Sequence, residues 1–144
     1  MPDSNDLERF LRAQDAVYPQ VLAELRNGEK RSHWMWYIFP QLAGLGRSTT
    51  AREFAISGKS EATAYLAHAV LGARLLECAE TVLVVPEKSA ADIFGAPDAM
   101  KLRSSATLFA EVSPSGSVFH RILDRFFGGF ADPRTLDLLA GRPT

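Results

Sequence analysis

Cysteine is nearly absent from this chain. Cys78 stands alone among 144 residues, so no internal disulfide can form and no thiolate cluster can hold a metal. It lies in Arg74-Leu75-Leu76-Glu77-Cys78-Ala79, where an apolar helical face is expected, and reads as a buried core thiol rather than a nucleophile. Histidine is scarce as well: His33, His68 and His120 fall on separate segments without short ligand spacing, so neither a metal site nor a metal cofactor is expected. Neither sign of charge is in excess. Sixteen basic against 17 acidic residues give a formal net charge of -1, which removes bulk attraction to nucleic acid or anionic membranes and leaves only a local basic patch open. No apolar run approaches the roughly 20 residues that span a bilayer. The opening Met1-Pro2-Asp3-Ser4-Asn5-Asp6 is polar and acidic, unlike a secretory signal, so a cytoplasmic protein without a membrane partner is expected. Period-two alternation is also missing. Thr81 to Val85 is the one β-like run, and it sits at the tail of a helical pattern. Repeats, low-complexity tracts and interdomain linkers are lacking, which predicts a single domain over 1–144 with an ordered core from about residue 6 to 141.

What is present is the composition of an ordinary globule, 47% hydrophobic and 23% charged, on a chain long enough to bury a core without staples. The apolar spacing predicts an all-α fold. From Leu7 a helical stripe runs through Phe10, Leu11, Val17, Val21, Leu22 and Leu25, with Ser4, Asn5 and Asp6 as candidate caps and Gly28 as the stop. Pro19 inside it predicts a kink or a break into two helices. Ser32 is placed to cap a helix over His33 to Phe39, ended by Pro40. Ser48 is placed to cap one running to Ile56, with Thr50 and Glu53 at capping-box spacing. Further helices are predicted over Glu61 to about His68, and over Val70 to Val84 with Val70, Leu71, Leu75, Cys78, Ala79 and Val82 facing inward. Ala90 to Phe94, Pro97 to Val112, an amphipathic stretch from Val118 to Phe127, and Pro133 to Ala140 complete the set.

The stretch from His33 to Ser48 holds both tryptophans and a glycine-arginine-serine turn. Placed on a helical wheel, Trp34 to Phe39 leave no polar side, so that segment is expected to be wrapped by its neighbours as a central aromatic helix. Gly44-Leu45-Gly46-Arg47-Ser48-Thr49 is not a nucleoside-triphosphate loop: Gln41 stands where the first glycine belongs, Arg47 where the lysine belongs, and no strand precedes it. A glycine turn running into a helix start can nevertheless present backbone donors to an anion, with Arg47 adding a guanidinium fork. The alternative is a tight turn with Arg47 in a surface ion pair. His33 stands one helical turn from Tyr37 and is a candidate base, ligand contact or cap. Trp34 and Trp36 could stack a flat ring or serve as core. Gln14, a polar residue on an apolar stripe, is a core amide or a ligand contact. His120 and Asp124, four apart, are an acid–base pair or a solvated helix face. Ser104-Ser105, away from any glycine elbow, favour close helix packing over nucleophilic chemistry.

These strings carry a family resemblance over nearly the whole chain. Phe10-Leu11-Arg12-Ala13-Gln14, Ser32-His33-Trp34-Met35-Trp36 through Ile38-Phe39-Pro40-Gln41, and Gly44-Leu45-Gly46-Arg47-Ser48 resemble the family called domain of unknown function 1810. The likeness extends to His68-Ala69-Val70-Leu71-Gly72, Ile93-Phe94-Gly95, Asp98 with Lys101-Leu102-Arg103-Ser104-Ser105, and Leu108-Phe109. Ala69 departs from the proline usual after that histidine. The resemblance implies an all-helical, roughly horseshoe-like domain and no established activity. A calpastatin label carried by some members does not suit a chain of globular composition, because an inhibitor of that type is extended and disordered.

Two functions follow as expectations. One is binding, with or without hydrolysis, of an anionic ring-bearing small molecule such as a nucleotide or ADP-ribose derivative. It would occupy a cleft of His33, Trp34, Trp36, Gln14, Gly44, Gly46, Arg47 and Ser48, with no cofactor. The other is a non-enzymatic protein-interaction module in which the aromatic segment is core only. Whether the chain is an enzyme, and in what oligomeric state, is open at this stage.

Overall fold

The computed structural model describes residues 6–141, and in that span the chain is all helical. Ten helices follow one another: α1 (Glu8–Asp15), α2 (Tyr18–Arg26), α3 (Met35–Ile38), α4 (Thr49–Glu53), α5 (Lys59–Ala67), α6 (Leu71–Leu83), α7 (Ala90–Phe94), α8 (Ala96–Ala110), α9 (Val118–Phe127) and α10 (Pro133–Leu139). Among the described residues the one trace of β structure is an isolated parallel bridge between Leu42 and Ile56. None of these helices is long and apolar enough to cross a membrane.

Local chemistry explains most boundaries. Pro19 occupies the first turn of α2, where its missing N–H costs nothing, so the early stripe breaks into two helices rather than bending as one. Ser89 and Asp92 form a reciprocal capping box on α7, Ser117 caps α9, and Gly128 ends α9 in the left-handed region at φ 62°. Asp132 caps α10 by accepting from the Thr135 amide. His68 plays the same part for α6: its Nδ1 accepts from the amides of Val70 and Leu71, both at 3.1 Å.

Several expectations are corrected. Ser4 and Asn5 lie outside the described residues; α1 begins after Leu7 and no side chain caps it. The aromatic helix is only Met35–Ile38, and Ser32 does not cap it: its hydroxyl accepts from Gln20 Nε2 at 2.6 Å and donates to Glu24 instead. Helix α4 stops at Glu53 because Ile56 is drawn into the bridge with Leu42. Val70 faces outward at 40% exposure, because it precedes α6 and the inward face built on Leu71, Leu75, Cys78 and Val82 begins one residue later.

Helix α8 is the hub of the packing, touching α5, α7, α9 and α10, with Leu102 and every residue from Ser104 to Ala110 buried. Beside it lies an aromatic cluster. Trp34, Phe39 and Phe94 meet with ring centroids 6.0–6.4 Å apart, and Phe10 stands edge-on to Tyr65 at 5.1 Å. At the α5–α6 junction Gly72 passes so close to α5 that an added Cβ would lie 2.1 Å from the Leu66 carbonyl oxygen. Gly72→Ala is therefore expected to destabilise the fold by about 1–3 kcal/mol or more, as overpacking against backbone does. A thermal melt indistinguishable from the parent would refute this close approach.

Candidate functional site

The site begins with a buried carboxylate. Glu24 sits on the apolar face of α2, between Val21 and Leu25, and is only 6% exposed. Its Oε1 accepts from the amides of Arg31 (2.8 Å) and Ser32 (3.0 Å) and from the Trp34 indole Nε1 (3.0 Å). Its Oε2 accepts from Ser32 Oγ (2.7 Å) and Gln20 Nε2 (2.9 Å). Burial alone would raise this carboxyl, but the donors, led by the Arg31 amide, outweigh it and hold it down at about 2. Glu24 thereby fixes the chain from Arg31 to Trp34, and with it the entry to α3. Sequence reading passed over this residue. The available signal was a charge on the inner stripe of α2.

Against this anchor lies a cleft of about 340 Å³, lined by Lys30, His33, Trp34, Met35, Trp36, Tyr37, Ser48, Thr50, Asp98 and Lys101. Two ammonium groups converge there on one carboxylate: Lys30 Nζ is 2.9 Å from Asp98 Oδ2 and Lys101 Nζ is 3.0 Å from Asp98 Oδ1. Each also stands over an indole, Lys30 4.9 Å from the Trp34 ring centre and Lys101 4.6 Å from that of Trp36. The Lys30 side chain is 7% exposed, and its backbone amide is tied to the Ile93 carbonyl at 2.7 Å. Burial pushes the Asp98 carboxyl up, but hydrogen bonds from both lysines override that and hold it below the ordinary carboxylate value. The group as a whole therefore keeps one positive charge in excess, beside the half-buried face of Trp36.

Of the residues expected at a site, His33, Trp34, Trp36 and Ser48 come together in this cleft. His33 is exposed at its rim. Trp34 is 1% exposed and its indole N–H is committed to Glu24, so it forms the floor and offers no face for stacking. Trp36 is half-buried. The Ser48 hydroxyl accepts from the Ala51 amide at 3.0 Å and so supplies the cap of the single turn that is α4. Gly44 and Gly46 border a neighbouring cavity of about 260 Å³ on another side of Trp36. Gly46 is required there: a Cβ would stand 2.8 Å from Trp36 Cη2 and 2.6 Å from Ala51 Cβ. Arg47 is exposed and makes no ion pair or hydrogen bond among the described residues. Gln14 lies elsewhere. At 1% exposure its Nε2 donates to the Tyr37 carbonyl (2.7 Å) and Tyr65 hydroxyl (3.0 Å), and its Oε1 accepts from Arg74 (3.3 Å). It is a satisfied core amide.

The remaining candidates have other partners. Ser104 Oγ donates to Asp132 Oδ2 at 3.1 Å, inside the packing of α8 on α10. His120 Nδ1 meets Ser117 Oγ at 2.7 Å rather than Asp124. Cys78 is fully buried, and burial pushes its thiol up to about 12, partly offset by the Tyr18 hydroxyl, which leaves it inert as a nucleophile at neutral pH. Lys30, Asp98 and Lys101 were not singled out from sequence as site residues. The available signal was the Asp98–Lys101 spacing, three apart on one helix.

Comparison with known proteins adds kinship without an activity. The family described as "Protein of unknown function (DUF1810)" matches residues 4–139. A crystal structure of the conserved hypothetical protein Rv1873 from Mycobacterium tuberculosis is similar at 50% sequence identity and a TM-score of 0.93, over 96% of this chain and 99% of that one. No curated protein matches the chain.

Proposed function

Starting from a chain that belongs to the DUF1810 family, we propose that the cleft binds an anionic, ring-bearing small molecule such as a nucleotide or an ADP-ribose derivative. The observation that carries this reading is the convergence of Lys30 and Lys101 on Asp98 beside the open side of Trp36. One carboxylate cannot neutralise two ammonium groups, so the cluster attracts a further anion. A phosphate group meets that need with several acceptor oxygens. Trp36 offers an aromatic surface for a ring, and His33 and Thr50 add polar atoms at the mouth. The anion is thereby assigned to the lysines rather than to the Gly44–Ser48 turn, because α4 is a single turn whose Ser48 cap is already used. Arg47 remains a solvent-facing charge able to steer an anion toward the cleft. Among these side chains the His33 imidazole is the general acid–base group available to a hydrolytic step.

The competing reading, an interaction module with a purely structural aromatic segment, suits Trp34 but not Trp36. The large exposed apolar side chains, Val70, Leu76, Val84, Met100 and Phe130, are spread over α6 with its ends, α8 and the segment before α10. Scattered single side chains of this kind are normal on a monomer's surface.

A thermal-shift screen with nucleotides, ADP-ribose and their uncharged counterparts tests the proposal, since a ligand specific to the folded state raises Tm. Lys101→Met is expected to weaken binding of a phosphorylated hit by about 1.5–3 kcal/mol, the range for a charge-assisted hydrogen bond. Titration calorimetry that finds equal affinities in parent and variant, or a screen in which no anionic compound shifts Tm, would count decisively against the cleft.

A further inference from the structure

One buried polar group outside the lysine cluster has no partner. Gln41 is 5% exposed, and among the described residues its Nε2 is the one buried side-chain nitrogen or oxygen without a hydrogen bond. Its backbone is held firmly, because its carbonyl accepts from the Ile56 amide at 2.9 Å next to the Leu42–Ile56 bridge. The orphan amide thus hangs from a fixed stretch of backbone. Folded chains rarely keep such a group without a use for it.

Gln41 borders both the cavity of about 260 Å³ beside Gly44 and Gly46 and one of about 240 Å³, which it lines together with Trp36, Leu45, Met100, Ser104 and Asp132, with the Arg134 guanidinium at the edge. Trp36 and Lys101 line both this cavity and the lysine cleft, so the two meet at those side chains. We propose that the cavity is a second subsite, that it takes the nucleobase of a ligand whose phosphate lies at Lys30 and Lys101, and that Gln41 reads the edge of that base. The phosphate half rests on the function proposed above; the base half rests on Gln41 and the walls of this second cavity.

The chemistry of the walls selects this class of group. Trp36, Leu45 and Met100 give apolar surface suited to the faces of a flat ring, and Met100 can adjust to its outline. Polar atoms stand at the margin. The Gln41 carboxamide offers a donor, and a half-turn about its last torsion offers the acceptor in its place. Asp132 holds the Ser104 hydroxyl and both donors of Thr135 on Oδ2, which leaves Oδ1 unbonded among the described residues and able to accept from a ring N–H or an exocyclic amine. A nucleobase concentrates its donors and acceptors along one edge and keeps its faces apolar. A sugar carries hydroxyls around its whole rim and would leave several of them unpaired against Leu45 and Met100.

Titration calorimetry on the intact chain separates the two halves. The probes are the four ribonucleoside 5′-monophosphates, the matching nucleosides and ribose 5-phosphate, tested on the parent and on Gln41→Leu. The expected result is that at least one monophosphate binds about tenfold or more tightly than ribose 5-phosphate, that Gln41→Leu erases this preference, and that ribose 5-phosphate binds both proteins alike. Because the change removes an unpartnered polar group, the Tm of the free variant is expected to stay level or rise. Equal binding of ribose 5-phosphate and every monophosphate, or a preference that survives Gln41→Leu, overturns the subsite and spares the lysine cleft. Nucleosides that bind in a Gln41-dependent way without help from phosphate support the subsite and overturn the cleft. A Tm lowered in Gln41→Leu shows that the amide has a structural partner and removes the premise, and absence of binding by every probe overturns both readings.

Discussion

Trp34→Ala is expected to lower the stability of the protein by about 3–5 kcal/mol, whereas Trp36→Ala, two residues on, is expected to cost much less, about 1–2 kcal/mol. The two indoles differ in what surrounds them. Trp34 is 1% exposed, packs against Phe39 and Phe94 with ring centroids 6.4 Å away in each case, and satisfies Glu24 through its N–H. Its removal opens a large cavity and leaves a buried carboxylate short of a donor. Trp36 is half-buried, with Gly46 against the edge of its six-membered ring and the Lys101 ammonium over the ring, and it stands at the junction of three cavities. Truncation there enlarges space that is already open. Its cost should appear in ligand binding, which Trp36→Ala is expected to abolish. Chemical denaturation of both variants decides the matter: large and equal losses would make Trp36 a core residue and remove the stacking surface from the proposed site.

The difference between these tryptophans shows where sequence reading stops. The apolar wheel from Trp34 to Phe39 marked the segment as one enclosed by the fold, and Trp34, Met35, Ile38 and Phe39 are indeed buried. Residues two apart on a helical turn point to nearly opposite sides, however, and which side other elements cover depends on α7 and α8, more than fifty residues further along. Local signals were legible where their cause lies within a few residues, as at the break near Pro19, the Ser89 cap with its Gly95 stop, and the left-handed end of α9 at Gly128, but not at Ser32, whose hydroxyl is taken by α2. Gln14 was legible as an exception to its stripe. Its partners, the Tyr37 carbonyl and the Tyr65 hydroxyl, were not.

The charged part of the site was hidden for the same reason. Lys101 and Asp98 share a helix face and their pairing follows from spacing, but Lys30 reaches them from the distant α2–α3 connection. Nothing in the local pattern of Lys30-Arg31-Ser32 distinguishes a lysine that is 7% exposed from the arginine beside it, whose side chain is 75% exposed. The orphan state of Gln41 is likewise a property of the assembled neighbourhood, because an unmade hydrogen bond has no signature in the chain.

Glu24 makes the stability of this fold depend on acid in a window that can be stated in advance. Its carboxyl has an ordinary value of 4.5 and is held at about 2 in the folded protein. A group depressed on folding stabilises the native state above its unfolded value, and the contribution drains away as pH falls toward the folded one. The stabilisation from Glu24 is therefore complete above about pH 5 and lost progressively between about pH 4.5 and 2. The size of the shift puts it on the order of 3 kcal/mol. Asp98, also depressed, acts in the same direction, so part of the acid slope belongs to the lysine cluster. Glu24→Gln separates the two. Glutamine keeps the shape but offers one oxygen where two had accepted from Arg31, Ser32, Trp34 and Gln20, and it turns a donor toward donors. At pH 7 the variant is expected to lose about 2–3 kcal/mol, the scale of hydrogen bonds to a charged acceptor. Its urea midpoint should change much less than the parent's between pH 5 and 2, retaining only the slope due to other carboxylates. Parallel acid limbs for the two proteins would mean that the carboxylate holding Trp34 and the Arg31–Ser32 turn is not the anchor of the site.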